Sequence, residues 1–177
     1  METNMLHRIT CFSDVNERKL MDIYTESNYE NTEYFYPDET DKEKAVKKVE
    51  VDFLDYLKSE FLTHPENTCW VLEENSIWCS VLRTIRIQPG LFYLEALETR
   101  PDHRQEGCAS RLLSGVLDSL KQEGPFHLCA CVSKKNIASL KAHEKSGFRI
   151  VSETGYDYLN KEENEQDYGL EYHYNGE

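Results

Sequence analysis

The 177-residue chain holds no apolar run of the roughly 18–20 residues that a helix needs to cross a bilayer. Residues 1–14 lack the apolar core of a signal peptide. These absences predict a cytoplasmic protein with no membrane partner. Positive charge is also scarce: Lys and Arg number 20 against 33 Asp and Glu, for a formal net charge of −13. Nucleic-acid binding needs a basic footprint, so no nucleic-acid partner is expected. An acidic surface serves solubility first, and it also suits a cationic substrate such as an amine. The six cysteines (Cys11, Cys69, Cys79, Cys108, Cys129 and Cys131) are irregularly spaced and include no CxxC pair. No His or Cys spacing completes a zinc site, so no metal is expected. Reduced, mostly buried thiols fit a reducing compartment. Cys108 is the exception, because it stands at an expected helix N-terminus, where a thiol pKa falls and reactivity rises. Repeats, low-complexity tracts and signs of a second domain are all missing. Residues 1–177 therefore read as one domain, long enough to bury a core.

What is present is an alternation of strand and helix signals. Residues 6–12 form a short apolar run, read as a first strand. Asp14 is placed to cap a helix through Leu20, Met21, Ile23 and Tyr24. Residues 27–40, rich in Tyr, Asn and Glu, read as a surface loop or broken helix. Over residues 41–62, Ala45, Val46, Val49, Phe53, Leu57 and Phe61 recur at helical spacing. Residues 68–73 and 77–87 flank a tight turn at Glu74-Asn75-Ser76 and read as a hairpin. Gln88-Pro89-Gly90 is a further turn before a strand over 91–99. From Ser110 a helix carries Leu112, Leu113, Val116, Leu117 and Leu120 on one face and ends at Gly124-Pro125. A strand follows over 127–132, and then a helix opened by Asn136 and closed by Gly147. Residues 148–158 and 168–174 suggest two last strands around an exposed acidic linker, with residues 160–177 forming the linker and final strand.

The segment Arg104-Gln105-Glu106-Gly107-Cys108-Ala109 joins the strand over 91–99 to the helix from Ser110. A strand, a Gly-containing turn and a helix N-terminus together make an anion site. The first-turn N–H groups are free and the helix dipole adds positive charge. Gly107 lets the backbone approach a bulky anion, and the small Ala109 and Ser110 keep the approach open. A diphosphate fits such a cradle, although Gly at this place is also what an ordinary turn requires.

Two segments in order carry a family resemblance. The first runs Leu97-Glu98-Thr99-Arg100-Pro101-Asp102-His103-Arg104-Gln105-Glu106-Gly107-Cys108-Ala109-Ser110. The second runs from Asn136-Ile137-Ala138-Ser139 to His143-Glu144-Lys145-Ser146-Gly147-Phe148. Together they resemble the GNAT superfamily of acyl-CoA-dependent N-acyltransferases, with its Arg/Gln-x-x-Gly-x-Gly/Ala loop and its Asn-x-x-Ala/Ser helix ending in Glu-Lys-x-Gly-Phe. The motif core is residues 91–150, and the order of the other elements extends the resemblance over nearly the whole chain.

The resemblance implies an α/β (α+β) fold. Its mixed, largely antiparallel sheet would have 6–7 strands and about four flanking helices, with one parallel pair splayed at a bulge to admit acetyl-CoA. It implies that main-chain groups of Leu97, Glu98 and Thr99 bond the pantetheine arm. Gln105, Glu106, Gly107, Cys108, Ala109 and Ser110 would hold the diphosphate, with Arg104 able to add a charge-assisted contact. Asn136, which also suits a plain helix cap, and Ser139 would lie along the arm, with Lys141 of the same helix near the adenosine phosphate or simply solvated.

Transfer to an amine needs a neutral amine, a polarised carbonyl and a stabilised thiolate. His143 stands where the family often has a proton-donating Tyr, and an imidazole can donate too. Glu95 is the preferred base, with Glu98 the alternative; a bulge in this strand would reset which face each occupies. Tyr156 and Tyr158 are further residues able to reach the site. The implied activity is acetyl transfer from acetyl-CoA to a small-molecule or peptide amine in a ternary complex, by a monomer or homodimer. Acidic and aromatic residues in 29–38 and 156–172 suit a cationic acceptor. The alternative is a non-catalytic CoA-binding sensor, supported by the missing Tyr at 143.

Overall fold

A computed structural model describes residues 4–176; of the single domain expected over 1–177, Met1, Glu2, Thr3 and Glu177 lie outside the described residues. Strands β1 (Asn4–Ile9), β2 (Asn67–Glu74), β3 (Ile77–Gln88) and β4 (Leu91–Thr99) pair antiparallel in that order. Asn75 and Ser76, with φ of 50° and 68°, make the two-residue turn between β2 and β3. Helix α4 (Cys108–Lys121) crosses from β4 to β5 (Phe126–Ser133), which runs parallel to β4. Next come α5 (Ile137–Lys145), β6 (Arg149–Ser152), and a small hairpin of β7 (Gly155–Asp157) and β8 (Glu162–Asn164). The last strand, β9 (Asp167–Tyr174), inserts between β5 and β6. The described sheet therefore has seven strands in the order β1-β2-β3-β4-β5-β9-β6.

Both sheet faces are covered, which is why β2 and most of β3 are continuously buried rather than alternating. On one face, α4 drives Leu112, Leu113, Val116, Leu117 and Leu120 against Trp70, Leu82, Leu94, Leu128 and Leu170. Each such leucine contributes about 1.5–3 kcal/mol through burial. The other face is covered by α1 (Glu17–Ile23), α2 (Thr25–Phe35) and α3 (Lys42–Ser59). Leu20, Ile23 and Leu57 pack there on Val71, Val81, Tyr93 and Cys129.

Three local expectations need correction. The cap of α1 is Asn16, whose side chain accepts from Lys19 N, and Asp14 instead ends a short 3-10 turn. The segment read as a loop or broken helix is α2. It lacks an apolar stripe because Asn28 and Thr32 are its buried residues and much of its inner side faces a pocket rather than core. The single strand expected over 148–158 is two, β6 and β7, and the acidic linker contributes β8 to a hairpin.

Candidate active site

The site begins with a defect in β4. Ala96 adopts φ of 53°, and β3 pairs Val81 with Glu98 but Arg83 with Glu95. Ala96 and Leu97 thus stand opposite the single Leu82, a β-bulge. Parallel pairing between β4 and β5 runs from Leu91–His127 to Leu94–Ala130 and stops there. Beyond it the strands diverge, leaving main-chain groups of Leu97, Glu98 and Thr99 unpaired on the β5 side. The bulge also resets side-chain direction. Leu97 packs with the α4-side core, whereas Glu98, three residues after Glu95, shares the α1–α3 side with it.

The opening continues as a cleft of about 730 Å³. Of the residues expected to hold the co-substrate, Leu97, Glu98, Thr99, Arg104, Gln105, Gly107, Cys108, Ala109, Ser110, Asn136 and Ser139 line it. Glu106 does not; its carboxylate faces His103 Nδ1 at 3.0 Å. Gly107, with φ of 80°, is the N-cap of α4, which has neither a capping side chain nor an acidic residue in its first turn. The first-turn N–H groups are therefore left for an anion. Arg104 ties this loop to α2 through two bonds to Glu26, at 3.0 and 2.9 Å. Asn136 caps α5 by accepting from Ser139 N at 3.1 Å while still lining the cleft. Lys141 and Lys145, one turn apart on α5, add two cations to the wall. Lys145 belongs to the Glu-Lys-x-Gly-Phe motif, but the motif assigned it no contact.

A second pocket, of about 440 Å³, lies on the α1–α3 side. Tyr24, Phe35, Phe53 and Tyr56 give it aromatic walls, and Asp52, Arg83 and Glu98 give it charge. Glu98 alone, among the described residues, lines both this pocket and the cleft. Burial lifts its carboxyl above the ordinary range, against the opposing pull of Ser27 and Arg104. Arg83, 9 % exposed, donates from Nε to Glu95 Oε1 at 2.8 Å. Its Nη1 and the Tyr24 hydroxyl are buried at this pocket without a protein partner. Such atoms are satisfied by an ordered water or by an oxygen of a ligand. Arg83 carries no sequence signal, because only tertiary packing makes an arginine in a β-strand buried.

The remaining candidates lie apart. Glu95 lines neither opening and is held by Arg83. His143 is 1 % exposed and sits edge-on to Phe148, with Nδ1 2.8 Å from Ser139 O and Nε2 unpartnered; it does not line the cleft. Its pKa is lowered by burial. Cys108 is not the activated thiol expected at a helix N-terminus: burial, and then the Glu74 carboxylate, push it up to about 12. Tyr158 packs on Tyr93, away from both openings, and Tyr156 packs on Tyr158. Among the described residues no helix is long and apolar enough to cross a membrane.

The profile described as "Acetyltransferase (GNAT) family" matches residues 16–148. No curated protein matches the chain in sequence. Solved structures share its fold. The PaiA N-acetyltransferase of Thermoplasma acidophilum, in complex with coenzyme A, is 15% identical with a TM-score of 0.64, over 97% of this chain and 99% of that one. The Campylobacter jejuni N-acetyltransferase PseH with acetyl coenzyme A is 17% identical with a TM-score of 0.59, over 97% and 99%. The ribosomal-protein-S18-alanine N-acetyltransferase of Escherichia coli is 13% identical with a TM-score of 0.59, over 99% and 96%. Bulge, splayed parallel pair, uncapped helix and family profile agree, and the chain belongs to the GNAT family of acetyltransferases.

Proposed function

We propose that this chain is an N-acetyltransferase that moves an acetyl group from acetyl-CoA to a primary amine within a ternary complex. The observation that carries this reading is Glu98, a carboxylate at the one place where the cleft and the aromatic pocket meet. Acetyl-CoA, when bound, supplies the activated acyl group. The N–H groups of the first turn of α4 hold its diphosphate, with Lys141 and Lys145 nearby. The free edge of Leu97, Glu98 and Thr99 receives the pantetheine amides as a neighbouring strand would. The Leu97 N–H is the donor assigned to the thioester carbonyl.

The acceptor enters the aromatic pocket. The carboxylates of Asp52 and Glu98 and the rings of Tyr24, Phe53 and Tyr56 suit an amine in its cationic form. Glu98 removes the proton that the amine must lose before it attacks, and its raised pKa brings it nearer to that task at neutral pH. Arg83 Nη1 and the Tyr24 hydroxyl take an oxygen of the acceptor, which favours amines that also carry a carboxylate or an amide carbonyl. Amino acids, peptide N-termini and small amino amides all meet that description. Glu95 holds Arg83 in place. The second proton, which the nitrogen sheds as the amide forms, passes through water in the cleft to the departing thiolate, since His143 lies outside the lining.

Calorimetry with acetyl-CoA, followed by thiol release against a panel of amines, tests this reading. One-to-one binding and steady CoA release with at least one amine are expected. Absence of binding at millimolar acetyl-CoA overturns it. Binding without release from any amine favours the alternative of a CoA-binding sensor, to which the buried His143 at the family's Tyr position would then belong.

A further inference from the structure

The pairing of β5 with β9 sets His127 opposite His173 and Cys129 opposite Glu171, all four on one face of the sheet. The two imidazoles stack with ring centroids 3.8 Å apart. His127 Nε2 lies 3.2 Å from Glu171 Oε2, and His173 Nε2 lies 2.9 Å from the same oxygen. All three ligand-type atoms fall within 4.8 Å of one another. Zinc binds imidazole nitrogen and carboxylate oxygen at about 2.0–2.2 Å, which puts the edges of a tetrahedral ligand set at about 3.3–3.6 Å. The two Nε2–Oε2 separations are close to those edges. Because the rings are stacked at 23° to each other, both must swing outward for their Nε2 lone pairs to point at one ion.

We propose that His127, Glu171 and His173 bind one divalent transition-metal ion of the zinc class, with water completing the fourth position. Cys129 Sγ, 3.5 Å from His127 Nε2, adds a soft atom beside the site and biases it towards zinc over magnesium or calcium. Nitrogen donors make the same discrimination. Binding requires both Nε2 atoms unprotonated; any proton they carry passes to solvent or to the Nδ1 of the same ring. The second cluster of this kind among the described residues, Glu74 with Cys79 and Cys108, already holds a cation: Arg111 Nε lies 2.6 Å from Glu74 Oε1.

Position argues for a structural ion. His127 pairs with Leu91 at the closed end of the parallel pair, whereas the cleft opens beyond Leu94 and Ala130. A bound ion would pin β9 to β5, and thereby the C-terminal strand to the sheet, without touching the acetyl-transfer site.

The test uses the full chain, stripped with a chelator and then titrated with zinc chloride, followed by calorimetry and thermal melting. One-to-one binding is expected, with the melting temperature raised by about 5–10 °C at zinc well above its dissociation constant. H173A is expected to weaken binding roughly tenfold or more and to leave the zinc-free melt unchanged, because this side chain is about half exposed. H127A/H173A is expected to remove both binding and shift. Failure of the wild-type chain to bind micromolar zinc overturns the proposal. So does unchanged affinity in H173A with a native zinc-free melt, since exposed Cys11 could then account for the binding. A magnesium-induced shift as large as that from zinc overturns it as well.

Discussion

At Glu98 a single carboxylate joins the two halves of the site, and it separates stability from activity. Its folded-state pKa is raised by burial, so it contributes most to stability below its unfolded pKa. That contribution is lost as pH rises through the higher folded value. E98Q should therefore melt higher than wild type at neutral pH. Its kcat/KM should fall by about a hundredfold or more, the range of a lost general base, and the acid limb of the pH–rate profile should flatten. Rate assays from pH 5 upward check this; an unchanged acid limb assigns the base elsewhere. His143 runs the other way. Burial lowers its pKa, so it contributes stability above the unfolded value of 6.5 that is lost as pH falls through the folded one. H143F should remove that part of the acid loss of stability in melts at pH 5–7. It should leave kcat within a few-fold of wild type; a loss of a hundredfold would return the thiolate-protonating role to the imidazole.

His143 and Glu98 also mark what was legible residue by residue. Motif position identified both. Whether a side chain reaches an opening depends on burial, which position alone does not give. Plain alternation along the strand puts Glu95 and Glu98 on opposite faces, and the bulge at Ala96 brings them to the same one.

The element proposed to hold the co-substrate is α4, and its N-terminus can be probed without disturbing the fold. Ser110, in the first turn, lines the cleft. S110E places a carboxylate where the dipole favours it, so denaturant stability should be unchanged or raised by about 0.3–1 kcal/mol. Acetyl-CoA affinity should nevertheless fall roughly tenfold or more, because the new charge occupies the anion's place. Gly107 is a poorer probe. At φ of 80° any side chain is strained, and an added Cβ would meet Arg111 Nη1 at 3.0 Å. G107A should thus cost about 1–2 kcal/mol in stability as well as binding, measured by urea unfolding and calorimetry. The anion turn and the amphipathic α4 were readable because local backbone chemistry and a helical period suffice to specify them. Helix α2 was not, because Asn28 and Thr32 occupy the positions that would have carried an apolar stripe.

Over the whole molecule, the cleft and the aromatic pocket meet at Glu98 of β4. Ligand binding to the folded state alone should raise the melting temperature by about 5–10 °C at saturating acetyl-CoA, seen by calorimetric scanning. Y24F tests the other opening. It removes a buried hydroxyl with no protein partner, so stability should hold or rise slightly. KM should rise for acceptors bearing a carboxylate or amide more than for simple alkylamines; equal changes would place that oxygen elsewhere.

Sequence by itself determined the order of strands and helices outside α2 and the β7–β8 hairpin, the α4 core face, the turn at Gly107 and the two motifs that resemble the GNAT family. These are encoded by neighbours along the chain, in hydrophobic period, cap chemistry and glycine's access to positive φ. Only the tertiary structure decided that Glu98 joins both openings, that Arg83 is buried against Glu95, that His143 lies outside the cleft, and that His127, Glu171 and His173 converge. Each of these depends on strand register, on a one-residue bulge or on what packs above a side chain. Such relations bring together residues a dozen or more positions apart, and no local pattern records them.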